Sequence, residues 1–253
     1  MNDRSYWEKL GEDYEEEVFD VYANDKRRVI ASRIEAAATP DSRAADFGCG
    51  VGKFLPLMSD RFASVQAVDF SETCLRRGEE RFGELNNVSF IRFDMCQASR
   101  VLQGVDFILS VNALLTPDLG KQLAMFETLS RHLVKGGRLV LVVPSLESAL
   151  FSADRLLQWN LRTGLSAHEA VAAASTPERK RELDFRPHGV VAIDGAETKH
   201  YLREELTDRL GTVGFQVDDL AKVEYDWSTE FESPPGWMGA PYPWDWCITA
   251  KRR

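Results

Sequence analysis

The residues whose types and spacing could do chemistry begin with an acid-led glycine run, Ala45-Asp46-Phe47-Gly48-Cys49-Gly50-Val51-Gly52. Glycine lets a backbone turn sharply and approach a ligand closely, and a glycine turn opening a helix presents free N–H groups. Dinucleotide-binding turns read G-x-G-x-x-G. Here the glycines fall at 48, 50 and 52, and Lys53 stands where the third dinucleotide glycine belongs. Asp46 lies ahead of the loop, at the end of an apolar run. A buried carboxylate there is unfavourable unless it meets a donor or a cation. Pyrophosphate would be repelled, whereas an ammonium group would be held. The loop points to a cationic, amino-acid-like ligand.

Further polar residues close the next apolar runs. In Val68-Asp69-Phe70 the acid can accept hydrogen bonds from both hydroxyls of a ribose. In Phe93-Asp94-Met95 the acid can accept from an exocyclic amine, and Met95 offers a soft surface to a flat ring. The fourth run ends Leu109-Ser110-Val111-Asn112. Taken singly, Asp94 or Asn112 reads as a helix cap or turn residue. Four such points in register with a glycine loop read as one ligand site, because open α/β sheets bind at the carboxyl ends of their strands. The candidate bases are His168, His188, His200 and Tyr201, with His200 and Tyr201 nearest in chain order to that edge. No partner is visible for any of the histidines, and taken singly each reads more readily as a surface or structural residue than as a base.

The elements that must position these groups follow from the hydrophobic pattern. Continuous apolar runs at 44–47, 65–68, 88–93, 105–111 and 138–143 suit strands buried on both faces of a parallel sheet. Between them, 118–133 carries Leu119, Leu123, Phe126, Leu129 and Leu133 at helical spacing, with Thr116 and Pro117 as cap and first turn. Strand, helix, strand in repetition gives right-handed crossovers and a doubly wound sheet. Residues 4–38 read as an acidic, aromatic-rich helical segment that ends before Pro40. After Pro144 the rhythm changes to two or three helices over 146–184, one opened by a capping box of Ser166 and Glu169, with a short strand at 190–193. A helix at 202–211 and strands near 214–225 and 242–251 complete the chain. The expected architecture is α/β: a doubly wound, seven-stranded, mostly parallel sheet with a C-terminal antiparallel hairpin, a helical N-terminal segment and a helical insertion after strand 5. It reads as one domain over 1–253: an N-terminal cap at 1–40, a cofactor-binding core at 41–145, an insertion or lid at 146–200, and a C-terminal helix and hairpin at 201–253.

Composition narrows the partners. The chain has 253 residues, 44% hydrophobic and 28% charged, enough for one closed core. Its formal charge of -9 and the lack of a Lys/Arg-rich run argue against nucleic acid as partner. Cys49, Cys74, Cys96 and Cys247 form no C-x-x-C pair; they read as reduced, buried cysteines rather than a disulfide or zinc framework, and no metal is expected. Apolar runs reach only strand length and the N-terminus lacks a signal peptide's apolar core, so the expected setting is cytoplasmic, with no membrane partner.

With those residues in place, the sequence resembles the class I S-adenosylmethionine-dependent methyltransferases, well over roughly 43–143 and at the level of fold pattern to the C-terminus. The resemblance implies S-adenosylmethionine as cofactor and S-adenosylhomocysteine as product. Residues 45–52 look like that family's first motif: Asp46 would lie near the cofactor's amino group, while Gly48, Cys49, Gly50 and Gly52 would supply close backbone approach. Asp69 matches the acid on the ribose hydroxyls, Phe70 would lie against adenine, and Asp94 with Met95 matches the pair at the adenine edge. Asn112 falls in the fourth motif, facing the methionine end. An N-terminal helix folded over the cofactor would add Tyr14. The fourth motif departs from the family's amino-methylating pattern: it reads Asn112-Ala113-Leu114-Leu115, without the Pro-Pro-aromatic sequence of many enzymes acting on nucleic-acid bases or glutamine amides. A small-molecule acceptor is the resulting expectation, with His200 or Tyr201 as base where a proton must leave. The alternatives are a protein methyltransferase, a non-catalytic cofactor-binding protein, and an NAD(P)-dependent oxidoreductase.

Overall fold

A computed structural model describes residues 18–97, 104–174, 189–193 and 196–253. Five strands run parallel: β1 Arg43–Phe47, β2 Ser64–Asp69, β3 Val88–Arg92, β4 Val105–Val111 and β5 Leu133–Pro144. The chain closes with β8 Phe215–Glu224 and β9 Trp244–Arg252, antiparallel to one another and, through β9, to β5. The sheet order is β3-β2-β1-β4-β5-β9-β8, the seven-stranded, mostly parallel sheet with a C-terminal hairpin that the pattern implies. Strand order reverses direction between β1 and β4, the point beyond whose carboxyl ends open α/β sheets bind their ligands in a crevice.

The central strands are apolar throughout because helices cover both faces. On one face Phe47, Ile108, Leu139, Leu141 and Ile248 pack with Phe126, Leu129 and Leu206. The last three belong to α5 Leu119–His132 and α8 Arg203–Thr212. On the other, Ala44, Phe107, Leu109, Val140 and Cys247 pack with Ile30, Leu55 and Leu75, from α2 Val29–Ala37, α3 Leu55–Ser59 and α4 Glu72–Phe82. None of the described helices is long and apolar enough to cross a membrane.

Three local details differ from the sequence expectation, each for a capping or pairing reason. The stretch expected to be helical over 4–38 is, in its described part, a short turn α1 Val21–Asn24 followed by α2, with Arg28 in the left-handed region at φ 54°. Asp25 makes the break: its carboxylate accepts from the N–H groups of Val29 (2.7 Å) and Ile30 (2.8 Å) and so starts a new helix. The helix at 119 is capped by Asp118, which accepts from the Lys121 N–H at 2.9 Å, not by Thr116. β5 begins at Leu133 rather than 138 and runs through Gly136 and Gly137, with an irregular register opposite Val105 and Phe107. The insertion holds α6 Leu146–Arg162 and α7 Ala167–Ala174, with Ser166 and Glu169 forming the reciprocal capping box. The strand at 190–193, β6 Val190–Ile193, pairs with β7 Ala196–Lys199 as a separate hairpin.

Candidate functional site

The glycine loop leaves the carboxyl end of β1 in the crevice. Gly48 has φ 77°, Gly50 54° and Gly52 83°, all in the left-handed region. At Gly48 space and conformation both demand glycine: a Cβ there would stand 2.3 Å from the Ala113 Cβ. The Met95 thioether methyl lies 3.9 Å from the same point, so the loops after β1, β3 and β4 meet over this residue. Cys49 is buried beside it, and burial raises its thiol pKa well above the ordinary value; the residue acts as backbone and packing.

Asp69 splints the loop. One oxygen accepts from the Gly50 N–H at 2.9 Å and the other from the Ser71 N–H at 2.9 Å, while Ser71 caps α4. The carboxylate thereby ties the loop to the start of α4. Phe70 follows, half-buried. Asp94 does turn work at the end of β3, accepting from the Cys96 N–H at 2.9 Å and the Gln97 side chain at 3.2 Å. Met95 is buried, and its carbonyl accepts from the Thr128 hydroxyl at 2.8 Å.

Asp46 is only 2% exposed and makes no hydrogen bond or ion pair among the described residues. Burial, and then the Asp69 carboxylate, push its pKa up to about 8. Asn112, just past β4, sits in the left-handed region at φ 46°. Its amide nitrogen donates to Asp245 at 2.9 Å, and its Oδ1 is buried without a partner. The Tyr225 hydroxyl donates to the same Asp245 oxygen at 2.8 Å. Burial raises the Asp245 pKa even though both donors oppose it. Asp245 and Tyr225 were not singled out by sequence reasoning; the one available signal was an acid inside the aromatic run Trp244-Asp245-Trp246.

The N-terminal segment is pinned to the same edge. Lys53 pairs with Asp20 at 2.7 Å. Burial opposes ionisation of Asp20, but Lys53 and the N–H groups of Ala23 and Tyr22 outweigh it and hold its pKa below the ordinary value. Phe19 meets Tyr225 edge-on at 4.9 Å between centroids, and Tyr22 meets Phe54 at 5.1 Å. Tyr14 and His188 lie outside the described residues.

His200 and Tyr201 are clamped between the loops after β4 and β5. The Lys199 N–H donates to the Leu115 carbonyl at 2.9 Å, and that of Tyr201 to the Pro144 carbonyl at 2.8 Å. The Tyr201 hydroxyl donates to the Leu114 carbonyl at 2.9 Å; the side chain is fully buried, and burial pushes the phenol pKa up. His200 has Nδ1 3.0 Å from the Thr198 carbonyl, so that nitrogen carries the proton and Nε2 is left as the acceptor. Burial lowers its pKa against the pull of that carbonyl, which keeps the ring neutral. His168 is exposed on α7. No described group of three or more His, Cys, Asp or Glu residues could hold a metal ion.

This geometry can be set beside known proteins. Residues 44–137 match the family model described as a methyltransferase domain. Comparison with curated protein sequences finds no match. Among solved structures, the chain is similar to an S-adenosylmethionine-dependent methyltransferase from Methanosarcina mazei, at 19% identity over 87% of this chain and 96% of that one, with a TM-score of 0.60. It is similar to the N-methyltransferase NodS from Bradyrhizobium japonicum in complex with S-adenosylhomocysteine, at 14% identity over 99% and 97% of the two chains, TM-score 0.61. A third likeness is to the methyltransferase solved with the Haloferax volcanii Trm112 activator, at 12% identity over 97% of each chain, TM-score 0.58. Residues 44–137 thus match a methyltransferase domain, and the sheet as a whole has the fold of these solved methyltransferases.

Proposed function

We propose that the protein transfers a methyl group from S-adenosylmethionine to a small-molecule acceptor. The observation that carries the cofactor assignment is a pair of unmet buried acceptors. The Asp46 carboxylate and the Asn112 Oδ1 stand at the ends of neighbouring strands. An ammonium group satisfies both, and nothing in a dinucleotide pyrophosphate does. Lys53 argues the same way, since its side chain occupies the position a dinucleotide loop keeps bare and is paired with Asp20.

The cofactor, when bound, supplies a sulfonium-activated methyl group ready for in-line displacement. The chain's own residues do the holding. Asp46 and Asn112 Oδ1 receive the amino group, and Asp69 accepts from the ribose hydroxyls while keeping the loop in shape. Phe70, Asp94 and Met95 bound the adenine edge, and the backbone at Gly48, Cys49, Gly50 and Gly52 gives room for close approach. Where the acceptor must lose a proton, His200 is the base, because its Nε2 is an unprotonated acceptor on a ring held by Thr198. Tyr201 positions it, with its own hydroxyl committed to Leu114. The insertion, with the N-terminal segment, closes the acceptor side as a lid. The small-molecule reading is supported by the absence of the Pro-Pro-aromatic sequence after Asn112. A protein acceptor or a purely cofactor-binding role is the outcome if small molecules are never methylated.

Calorimetric titration of the full chain tests the first step: S-adenosylhomocysteine binds in the micromolar range and NADH does not. Preference for NADH would overturn the reading. Label from methyl-tritiated S-adenosylmethionine appearing in the small-molecule rather than the protein fraction of a cell extract tests the acceptor class.

A further inference from the structure

Acids outnumber bases in this chain by 40 to 31, yet Arg155, Arg162 and Lys222 make no ion pair among the described residues. Each lies over an aromatic face instead. The Arg155 guanidinium is 4.9 Å from the Phe151 centroid and 5.7 Å from that of Trp227. Arg162 is 3.9 Å from Trp237, and the Lys222 ammonium is 3.4 Å from Trp244. The rings form a connected wall between α6 and the C-terminal segment: Phe151 meets Trp227 at 5.7 Å and Trp244 at 6.2 Å, and Trp227 stacks on Phe231 at 5.7 Å.

A second observation says what the wall lacks. Three buried polar atoms in it have no partner: the Trp244 indole nitrogen, the Arg155 Nε and the Ser152 hydroxyl. Trp244 is 8% exposed and Ser152 5%. The first two are obligate donors and the third can donate, so all three are satisfied by one kind of group, an acceptor. Neighbouring donors are already met, since the Trp227 indole donates to the Gly239 carbonyl at 3.0 Å and the Trp246 indole to Glu147 at 3.1 Å. Unmet buried donors are rare in folded proteins and call for a ligand or water. The wall begins at the sheet's carboxyl edge. Trp244 opens β9 beside Asp245, which pairs with Pro144 at the end of β5 and holds Asn112.

We propose that this seam seats the methyl acceptor through an oxyanion, a carboxylate or phosphate, borne on a flat apolar body. The oxyanion meets the Trp244, Arg155 and Ser152 donors, and the body stacks on the Phe151 and Trp227 rings. Arg162 and Lys222 offset the repulsion that a chain of charge -9 exerts on an approaching anion. The inference deepens the methyltransferase reading and rests on it.

The test uses the full chain loaded with S-adenosylhomocysteine, whose own binding is measured first. Benzoate, phenyl phosphate and neutral benzamide are then titrated by saturation-transfer NMR. At least one anion binds at least about tenfold more tightly than benzamide, and which one names the oxyanion. Arg155→Gln and, separately, Trp244→Phe remove that preference while S-adenosylhomocysteine affinity stays within about twofold. Equal binding of all three probes, binding of none, or a preference that survives Arg155→Gln overturns the proposal. Failure of S-adenosylhomocysteine to bind overturns the underlying function instead. Ser152→Ala, which removes the third donor, serves as the second variant if Trp244→Phe fails to fold.

Discussion

The two halves of the sheet's carboxyl edge are built differently. Around β1 to β4 the site is made of residues at or just past a strand's carboxyl end: Gly48 after β1, Asp69 closing β2, Asp94 two residues past β3, Asn112 after β4. Backbone groups and short acids do the work there, and most contacts span few residues, as from Asp69 to Ser71. Around β5, β9 and β8 the edge is made of long side chains from distant segments. Phe151 meets Trp227 and Trp244, Glu147 accepts from the Trp246 indole, and Ser148 accepts from the Trp244 N–H at 2.7 Å. The difference separates a half suited to one fixed ligand, held by backbone groups and short side chains with little rotamer freedom to lose, from a half whose shape is open to change by side-chain substitution. A donor common to a family belongs on the first, an individual acceptor on the second.

The sharpest way to break this comparison is Gly48→Ala. The added methyl would collide with Ala113 in a backbone conformation unfavourable to alanine. Strain and overpacking together come to about 2–4 kcal/mol, so S-adenosylhomocysteine affinity should fall by roughly 30- to 1,000-fold in calorimetry. Near-normal affinity would show that the loop is not the tight half of the site.

Asp69→Ala comes next. It removes an acceptor for the Gly50 and Ser71 N–H groups as well as for the ribose, and should weaken binding by about 1–3 kcal/mol. Unchanged affinity in the same titration would remove Asp69 from the site.

The pH dependence tests Asp46. Its folded pKa is raised to about 8, above the unfolded value of about 4. The native state therefore binds the proton more tightly than the unfolded chain, and the apoprotein loses stability as pH rises from about 4 to about 8. A cationic ligand favours the ionised form, so its affinity should rise by up to about fiftyfold between roughly pH 6 and pH 8. Asp46→Asn should flatten that rise. An equally steep profile in the variant would mean that another group titrates.

The smallest effect expected is for Asp245→Asn, where the two halves touch. Asparagine keeps one acceptor but cannot serve Tyr225 and Asn112 as a carboxylate does, which should cost about 1 kcal/mol of stability in urea unfolding. A severalfold loss of S-adenosylhomocysteine affinity would accompany it through Asn112. If stability falls with no change in affinity, the C-terminal hairpin does not reach the cofactor half.

Legibility in the sequence follows the same division. The strands around the glycine loop could be placed because burial on both faces makes them continuous apolar runs. Asp69 could be placed because a strand end followed by a cap has a local signature. The capping box at Ser166 was legible for the same reason. The break in the N-terminal helix was not, because Asp25 reads as an ordinary surface acid until its carboxylate is seen against the N–H groups of Val29 and Ile30. Nor was the Asn112–Asp245–Tyr225 group, whose members lie up to 133 residues apart in the chain. The sequence by itself determined the fold class and the position of the glycine loop, because these depend on periodicity and neighbouring residues. Only the tertiary structure decided that Asp46 and Asn112 Oδ1 are left unmet among the described residues, that Tyr201 is spent on Leu114 while the His200 Nε2 is not, and that Arg155 and Lys222 lie over the rings of one aromatic wall. Those facts depend on which distant segments meet at the carboxyl edge, and no local pattern encodes that meeting.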